Sequence, residues 1–242
     1  MIRPGEPIGP TTYHKPYMAV IFDLDGTLIS SALDFHAMRK AVIELAQRSG
    51  VPPGELHTTE SVPQLIEHAK TKLHAMTGAD HLGMRFEGET NRKLDEIEMS
   101  ALPTAKPTPG AKEALKSLSQ DGYRLGVLTR SCEGFARTAL HNVGVLPLFM
   151  KIRTRNDSGP AKPHPESLLL LLKDMNVTKD RALYVGDGSQ DMECARAAGV
   201  DFTALVHPGE KAQVHEEELR RLGSFHVVHT FAELHRQVTG RA

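Results

Sequence analysis

Two aspartates stand two residues apart in Phe22-Asp23-Leu24-Asp25-Gly26-Thr27, directly after an apolar run over residues 17–22. In an extended chain residues i and i+2 point the same way, so both carboxylates can face one site. Adjacent carboxylates repel and shift each other's pKa unless a cation or a proton lies between them. One can then serve as an ionised nucleophile and metal ligand while the other holds a proton as general acid. Gly26 lets the loop pass close to a ligand. On its own, such a short pattern is equally a polar turn after a strand.

The same grammar recurs in Tyr184-Val185-Gly186-Asp187-Gly188-Ser189-Gln190-Asp191. Asp187 falls at the end of an apolar run and Asp191 in the first turn of the next helix, where an acid also suits the helix dipole without any metal. Oxygen ligands of this kind match Mg²⁺, the expected cofactor. Thr129 closes a third apolar run and is followed by Arg130 and Ser131; a hydroxyl beside free backbone N–H groups can hold a phosphate oxygen, or can simply cap a loop. Lys162, in Gly159-Pro-Ala-Lys162-Pro-His-Pro165, is either a solvated loop charge or a fixed cation that offsets anionic charge.

The elements that must position these residues follow from periodicity. Short apolar runs at 17–22, 124–128, 149–152, 182–185, 202–206 and 226–229 predict strands. Helical spacing between them predicts helices from Thr108 as N-cap with Pro109 next, over 165–175, and over 190–198 ending at Gly199. Alternation of this kind predicts an α/β fold with a mainly parallel sheet and helices on both faces. Residues 31–105 break the rhythm. They carry apolar faces at Phe35, Met38, Val42 and Leu45, then at Leu65, Ile66, Ala69, Leu73 and Met76, then at Leu94, Ile97 and Ala101, the last helix weakened by Gly83 and Gly88. The expected organisation is an extended arm over 1–16, a core from 17–30 and 106–242, and a small all-helical cap over 31–105. Leaving from a strand's carboxyl end, that insert would lie over the crevice where such sheets bind ligands.

Composition narrows the class. With 29 basic against 30 acidic residues in 242, nothing points to nucleic acid or an acidic membrane surface as partner. No apolar run approaches the ~20 residues of a membrane span, and the opening segment lacks the apolar centre of a secretory signal, so a cytoplasmic protein is expected. Cys132 and Cys194 are too few and too far apart for a disulfide scaffold or a thiolate zinc site; Cys132 reads as a packing residue. The histidines form no metal-binding motif, and His226 and His229 fall on opposite faces of a strand pattern. Residues 215–221 read as a solvated helix face.

Taken in order, FDLDGTL (22–28), LTR (128–130), AKPHPE (161–166) and GDGSQD (186–191) resemble the four motifs of the haloacid dehalogenase-like hydrolase superfamily, specifically its phosphoglycolate phosphatase-like members with a helical cap. The resemblance implies a Rossmann-like core and a phosphatase acting on a small phosphorylated metabolite. It makes Asp23 the nucleophile that forms an aspartyl-phosphate and Asp25 the general acid and base. Thr129 and Lys162 become phosphate-binding residues, and Arg130 is grouped with them. The implied Mg²⁺ ligands are Asp23, Asp187 and the backbone carbonyl of Asp25, with Asp191 supporting through water or by orienting Lys162. A sugar phosphomutase shares the same intermediate, a dehalogenase of this superfamily resembles the pattern without the second acid, and a binding module could retain the fold without turnover.

Overall fold

A computed structural model describes residues 17–241 except 79, 210, 211 and 225; the expected arm over 1–16 lies outside the described residues. Six strands form one parallel sheet: β1 (Ala19–Phe22), β4 (Arg124–Leu128), β5 (Phe149–Arg153), β6 (Ala182–Gly186), β7 (Asp201–Leu205) and β8 (Val227–Val228). Their order is β5-β4-β1-β6-β7-β8, so the chain winds outward from β1 on one side and then restarts beside it with β6. All five pairings are parallel.

The uninterrupted apolar character of β1 has a direct cause. Val20 and Phe22 pack into one layer with Leu115 and Leu118 of α4 (Ala111–Gln120), Phe135 and Leu140 of α5 (Glu133–Asn142), and Phe231 and Leu234 of α9 (Phe231–Thr239). Ala19 and Ile21 face the opposite layer, with Leu168 and Leu171 of α6 (Pro165–Asp174) and Cys194 and Ala195 of α7 (Ser189–Ala198). A strand covered on both faces has no polar side to show. The expected α/β class is therefore the observed one.

Between β1 and α4 the chain builds α1 (Phe35–Arg48), α2 (Val62–Thr77) and α3 (Asp80–Ala101). These share an apolar cluster of their own, centred on Met38, Val42, Leu65, Leu73, Phe86 and Leu94. A two-residue antiparallel ribbon joins the ends of the insert, β2 (Ile29–Ser30) pairing with β3 (Lys106–Pro107).

Four local expectations need correction. α3 runs unbroken for 22 residues through Gly83 and Gly88, because burial of Phe86, Thr90 and Leu94 outweighs the roughly 1 kcal/mol that each glycine costs. α4 starts after Gly110, not Thr108: Gly110 takes a left-handed conformation at φ 78° and serves as N-cap, while the Thr108 carbonyl accepts the Ala111 N–H at 3.0 Å. Phe35 and Met76, expected on packed faces, are 53% and 54% exposed. The last strand covers only Val227 and Val228, so His226 and His229 flank it. The acidic run 215–221 lies in α8 (Ala212–Arg221), of which only Leu219 is buried.

Candidate active site

Each proposed functional residue leaves the carboxyl edge of the sheet. Asp23 and Asp25 follow β1, Thr129 and Arg130 follow β4, Lys162 precedes α6, and Asp187 and Asp191 follow β6. The strand order reverses between β1 and β6, and such reversals open a crevice at the strand ends. A cavity of about 360 Å³ occupies that place, floored by all seven of these residues and roofed by residues of α1 and by the start of α2.

Lys162 sits at the centre of the floor, buried and paired with both Asp23 and Asp191, the latter at 2.6 Å. Burial disfavours the ammonium charge, but the Asp191 and Asp23 carboxylates outweigh it and raise the lysine pKa. Asp191 is held three ways: by Lys162, by the Tyr184 hydroxyl at 2.7 Å, and by the Gly188 N–H at 3.1 Å. That geometry fixes the Asp191 carboxylate against the Lys162 ammonium.

Carboxylate oxygens of Asp23, Asp187 and Asp191 lie within 4.8 Å of one another. Burial lifts the Asp23 carboxyl well above its usual range; Lys162 opposes this, while Asp191 and Asp187 add to it. Asp187 is pushed up to about 6, first by burial and then by Asp191, with the Thr27 hydroxyl bond at 3.0 Å working against the rise. Fully ionised, these three carboxylates exceed the single ammonium by two negative charges, so the donor set fits a divalent cation with a taste for oxygen. Gly26 completes the approach: at φ 85° its Cβ position would collide with the Asp187 carboxylate, so only glycine closes the loop there.

Asp25 stands apart from that cluster. Its two oxygens accept from Ser31 Oγ at 2.6 Å and Ser131 Oγ at 3.0 Å. Burial raises its pKa against those two bonds. Thr129 Oγ1 accepts the Ser131 N–H at 3.0 Å, which leaves its own O–H free to donate. Arg130 donates to Gln190 Oε1 at 2.6 Å, and burial followed by the nearby Arg155 pushes its pKa down to about 10.

The insert is tied to this floor through charge. Arg155, after β5, donates to Glu98 of α3 at 2.6 Å and 3.0 Å, to Asp95 at 2.6 Å and to the Arg130 carbonyl at 2.8 Å. Glu98 also accepts the Cys132 N–H at 2.7 Å, at the start of α5. Cys132 itself is buried as the N-cap of α5, and burial pushes its thiol up to about 11, so it is a packing and capping residue.

Sequence reasoning overlooked Thr27, Ser31, Ser131, Tyr184, Glu98 and His215, whose Nε2 lies 2.7 Å from the Asp187 carbonyl oxygen. Ser131 and Tyr184 had a readable signal, since each stands a few residues from a proposed site residue at a strand end. The partners of Glu98 and His215 are set by tertiary approach alone. Arg155, in the loop after β5, is an ion-pair hub.

A doubly wound parallel sheet, with an acidic cluster at its switch point and a helical insert above, defines an α/β enzyme. The particular family follows from comparison: the chain belongs to the haloacid dehalogenase-like hydrolases, whose family model matches residues 20–205. A phosphoglycolate phosphatase of Cereibacter sphaeroides is 32% identical over 212 residues, 86% of this chain and 93% of the relative. An N-acetylmuramic acid 6-phosphate phosphatase of Pseudomonas aeruginosa is 27% identical, covering 78% of this chain and 84% of its own. Among solved structures, a hydrolase of the same family from Deinococcus radiodurans, with bound phosphate and sodium, superposes with a TM-score of 0.61 at 22% identity, over 93% of this chain and 96% of that one. No helix among the described residues is long and apolar enough to cross a membrane.

Proposed function

We propose that the chain is a phosphatase that hydrolyses a small phosphate monoester through an aspartyl-phosphate on Asp23, with Mg²⁺ held by Asp23, Asp187 and the backbone carbonyl of Asp25. The observation that carries the reading is Lys162, buried between Asp23 and Asp191 beside a carboxylate cluster two charges in excess. The names of the phosphatase relatives support it, as does the phosphate bound in a structural neighbour.

In the first step an Asp23 oxygen attacks phosphorus and the ester oxygen leaves. Asp25, its pKa raised by burial and its carboxyl fixed by Ser31 and Ser131, gives that oxygen its proton. In the second step Asp25, now ionised, takes a proton from water as the water attacks the phosphorus and releases Asp23. Phosphoryl transfer asks mainly for alignment and charge neutralisation. Lys162 supplies a fixed positive charge, and Thr129 an aimed hydroxyl, toward the transferred oxygens. Bound Mg²⁺ would neutralise charge on the phosphoryl oxygens and keep Asp23 ionised despite its burial. The helical insert would act as the cap that excludes water and selects the leaving group, in a cytoplasmic protein with no nucleic-acid partner.

The test is phosphate release from a panel of small esters with and without Mg²⁺. Magnesium-dependent release is expected, and Asp23→Asn should lower it by more than about 10⁴-fold. Release that persists in the variant would remove Asp23 from the nucleophile's role.

A further inference from the structure

Asp187 is gripped from a direction that the cavity floor does not account for. Its carboxylate accepts from Thr27 and lies against Gly26. Its backbone carbonyl accepts a hydrogen bond from His215 Nε2 at 2.7 Å, and His215 belongs to α8. A carbonyl oxygen has no proton to give, so Nε2 carries the hydrogen. The reach has a simple origin. Leu219 of α8 packs with Ala204 and Val206 at the end of β7, and β7 lies beside β6. His215 precedes Leu219 by one turn on the same helix face. Seating that leucine therefore brings the imidazole to the end of β6.

The peptide unit that His215 grips serves two acids at once. Its oxygen end is the Asp187 carbonyl; its nitrogen end is the Gly188 N–H, which donates to Asp191 Oδ2 at 3.1 Å. The strand pairing of β6 ends at Gly186, one residue before this peptide. Gly188 has no side chain to resist the peptide turning over. Two hydrogen bonds, one at each end, hold its plane, and the one from His215 comes from outside the catalytic loops. Rotation of that plane would swing Asp187 away from Thr27 and strip Asp191 of one of its three donors beside Lys162.

We propose that His215 is a positioning residue for the divalent-cation site: it fixes the Asp187–Gly188 peptide and so preorganises the Asp187 carboxylate. This role rests on the Mg²⁺ reading of Asp187 and deepens it with a residue beyond 205, where the match to the family model ends. Partners one step behind a metal ligand are worth about 10–100-fold in metal affinity. Because His215 acts on the ligand's main chain, the lower end of that range applies.

Titration calorimetry of Mg²⁺ into the metal-free full chain reads binding without turnover. Rates on p-nitrophenyl phosphate give kcat, the ester KM and the Mg²⁺ concentration for half-maximal rate. His215→Leu should weaken Mg²⁺ binding by about tenfold and raise the half-activating concentration to match. The ester KM at saturating Mg²⁺ should stay within about twofold. His215→Gln keeps a nitrogen donor at nearly the same reach and should restore Mg²⁺ binding to within about threefold of the parent. A merely structural histidine would lower the melting temperature in EDTA and leave the Mg²⁺ constant alone. That result, or a Gln variant that binds no better than the Leu variant, overturns the assignment. Asp187→Asn is titrated alongside. If it loses Mg²⁺ while His215→Leu binds like the parent, the His215 assignment alone falls. If the parent takes up no Mg²⁺, or Asp187→Asn binds it equally well, the metal reading falls and the role of His215 falls with it.

Discussion

The floor and the roof of the cavity are built on opposite principles. On the floor each charged side chain is claimed: Lys162 by two carboxylates, Asp191 by three donors, Asp25 by two serines. The roof contributes mainly apolar side chains, Phe35, Met38, Val62 and Pro63, whose contacts with the cavity are not fixed by charge. Chemistry common to many esters demands a preorganised floor, because fixed charges stabilise a transition state without moving. Choice among esters demands the reverse, a surface left incomplete until the right leaving group arrives.

Removing the lysine tests the floor most severely. Lys162→Met leaves Asp23 and Asp191 buried without their cation and should lower stability by about 3–5 kcal/mol, read from urea unfolding without Mg²⁺, with hydrolysis lost as well. A loss of less than 1 kcal/mol would show that the floor is not held by charge.

Next in size is the pH dependence of the metal-free protein. Asp187 has its pKa raised from 3.8 to about 6 on folding, so the folded state binds that proton more tightly. Its stabilising effect is complete below about pH 4 and is lost as pH rises through about 6, on the order of 3 kcal/mol. In EDTA, melting temperatures of the parent protein should fall between pH 4.5 and 7.5 relative to Asp187→Asn, and Mg²⁺ at pH 7 should close the gap. Parallel profiles would mean that the acidic cluster is already compensated without a cation.

The seam between floor and roof comes third. Arg155→Leu unties Glu98 and Asp95 of α3. Hydrogen exchange should speed up over residues 31–105, by about 1–3 kcal/mol in local opening, with the sheet unaffected. Uniform acceleration would show that insert and core open together. The smallest effect belongs to the outer surface of the roof: Arg85→Ala breaks an i,i+4 pair with Glu89 on an arginine 76% exposed and should change stability by less than about 0.5 kcal/mol.

The same contrast explains how much could be read from the chain. Strand ends announce themselves locally: four or five apolar residues, then Asp23, Thr129 or Asp187, and the parallel sheet brings those ends together. Arg130, Lys162 and Asp191 likewise lie on the cavity floor. The roof carries no such signal. α3 passes through two glycines because Phe86 and Leu94 are buried against α1 and α2, and Phe35 leaves the packed face to line the cavity. Helix periodicity reveals that a face is buried but not which neighbour it meets, so nothing in the pattern matches Glu98 to the Cys132 N–H 34 residues away.

That bond from Glu98 to Cys132 fixes how the roof can move. α3 caps the first turn of α5 through Glu98 and is stitched to the β5 loop by Arg155, so it cannot lift without stripping donors from the core. Among the described residues α1 and α2 make no such bond to the core; they are fastened chiefly to α3 and to each other. The insert is thus hung like a door along its α3 edge. With packed helices ~8–10 Å apart, a turn of about 20° about that edge would carry α1 some 3 Å away from the floor. The free edge, formed by α1 and the start of α2, is the side such a turn would open.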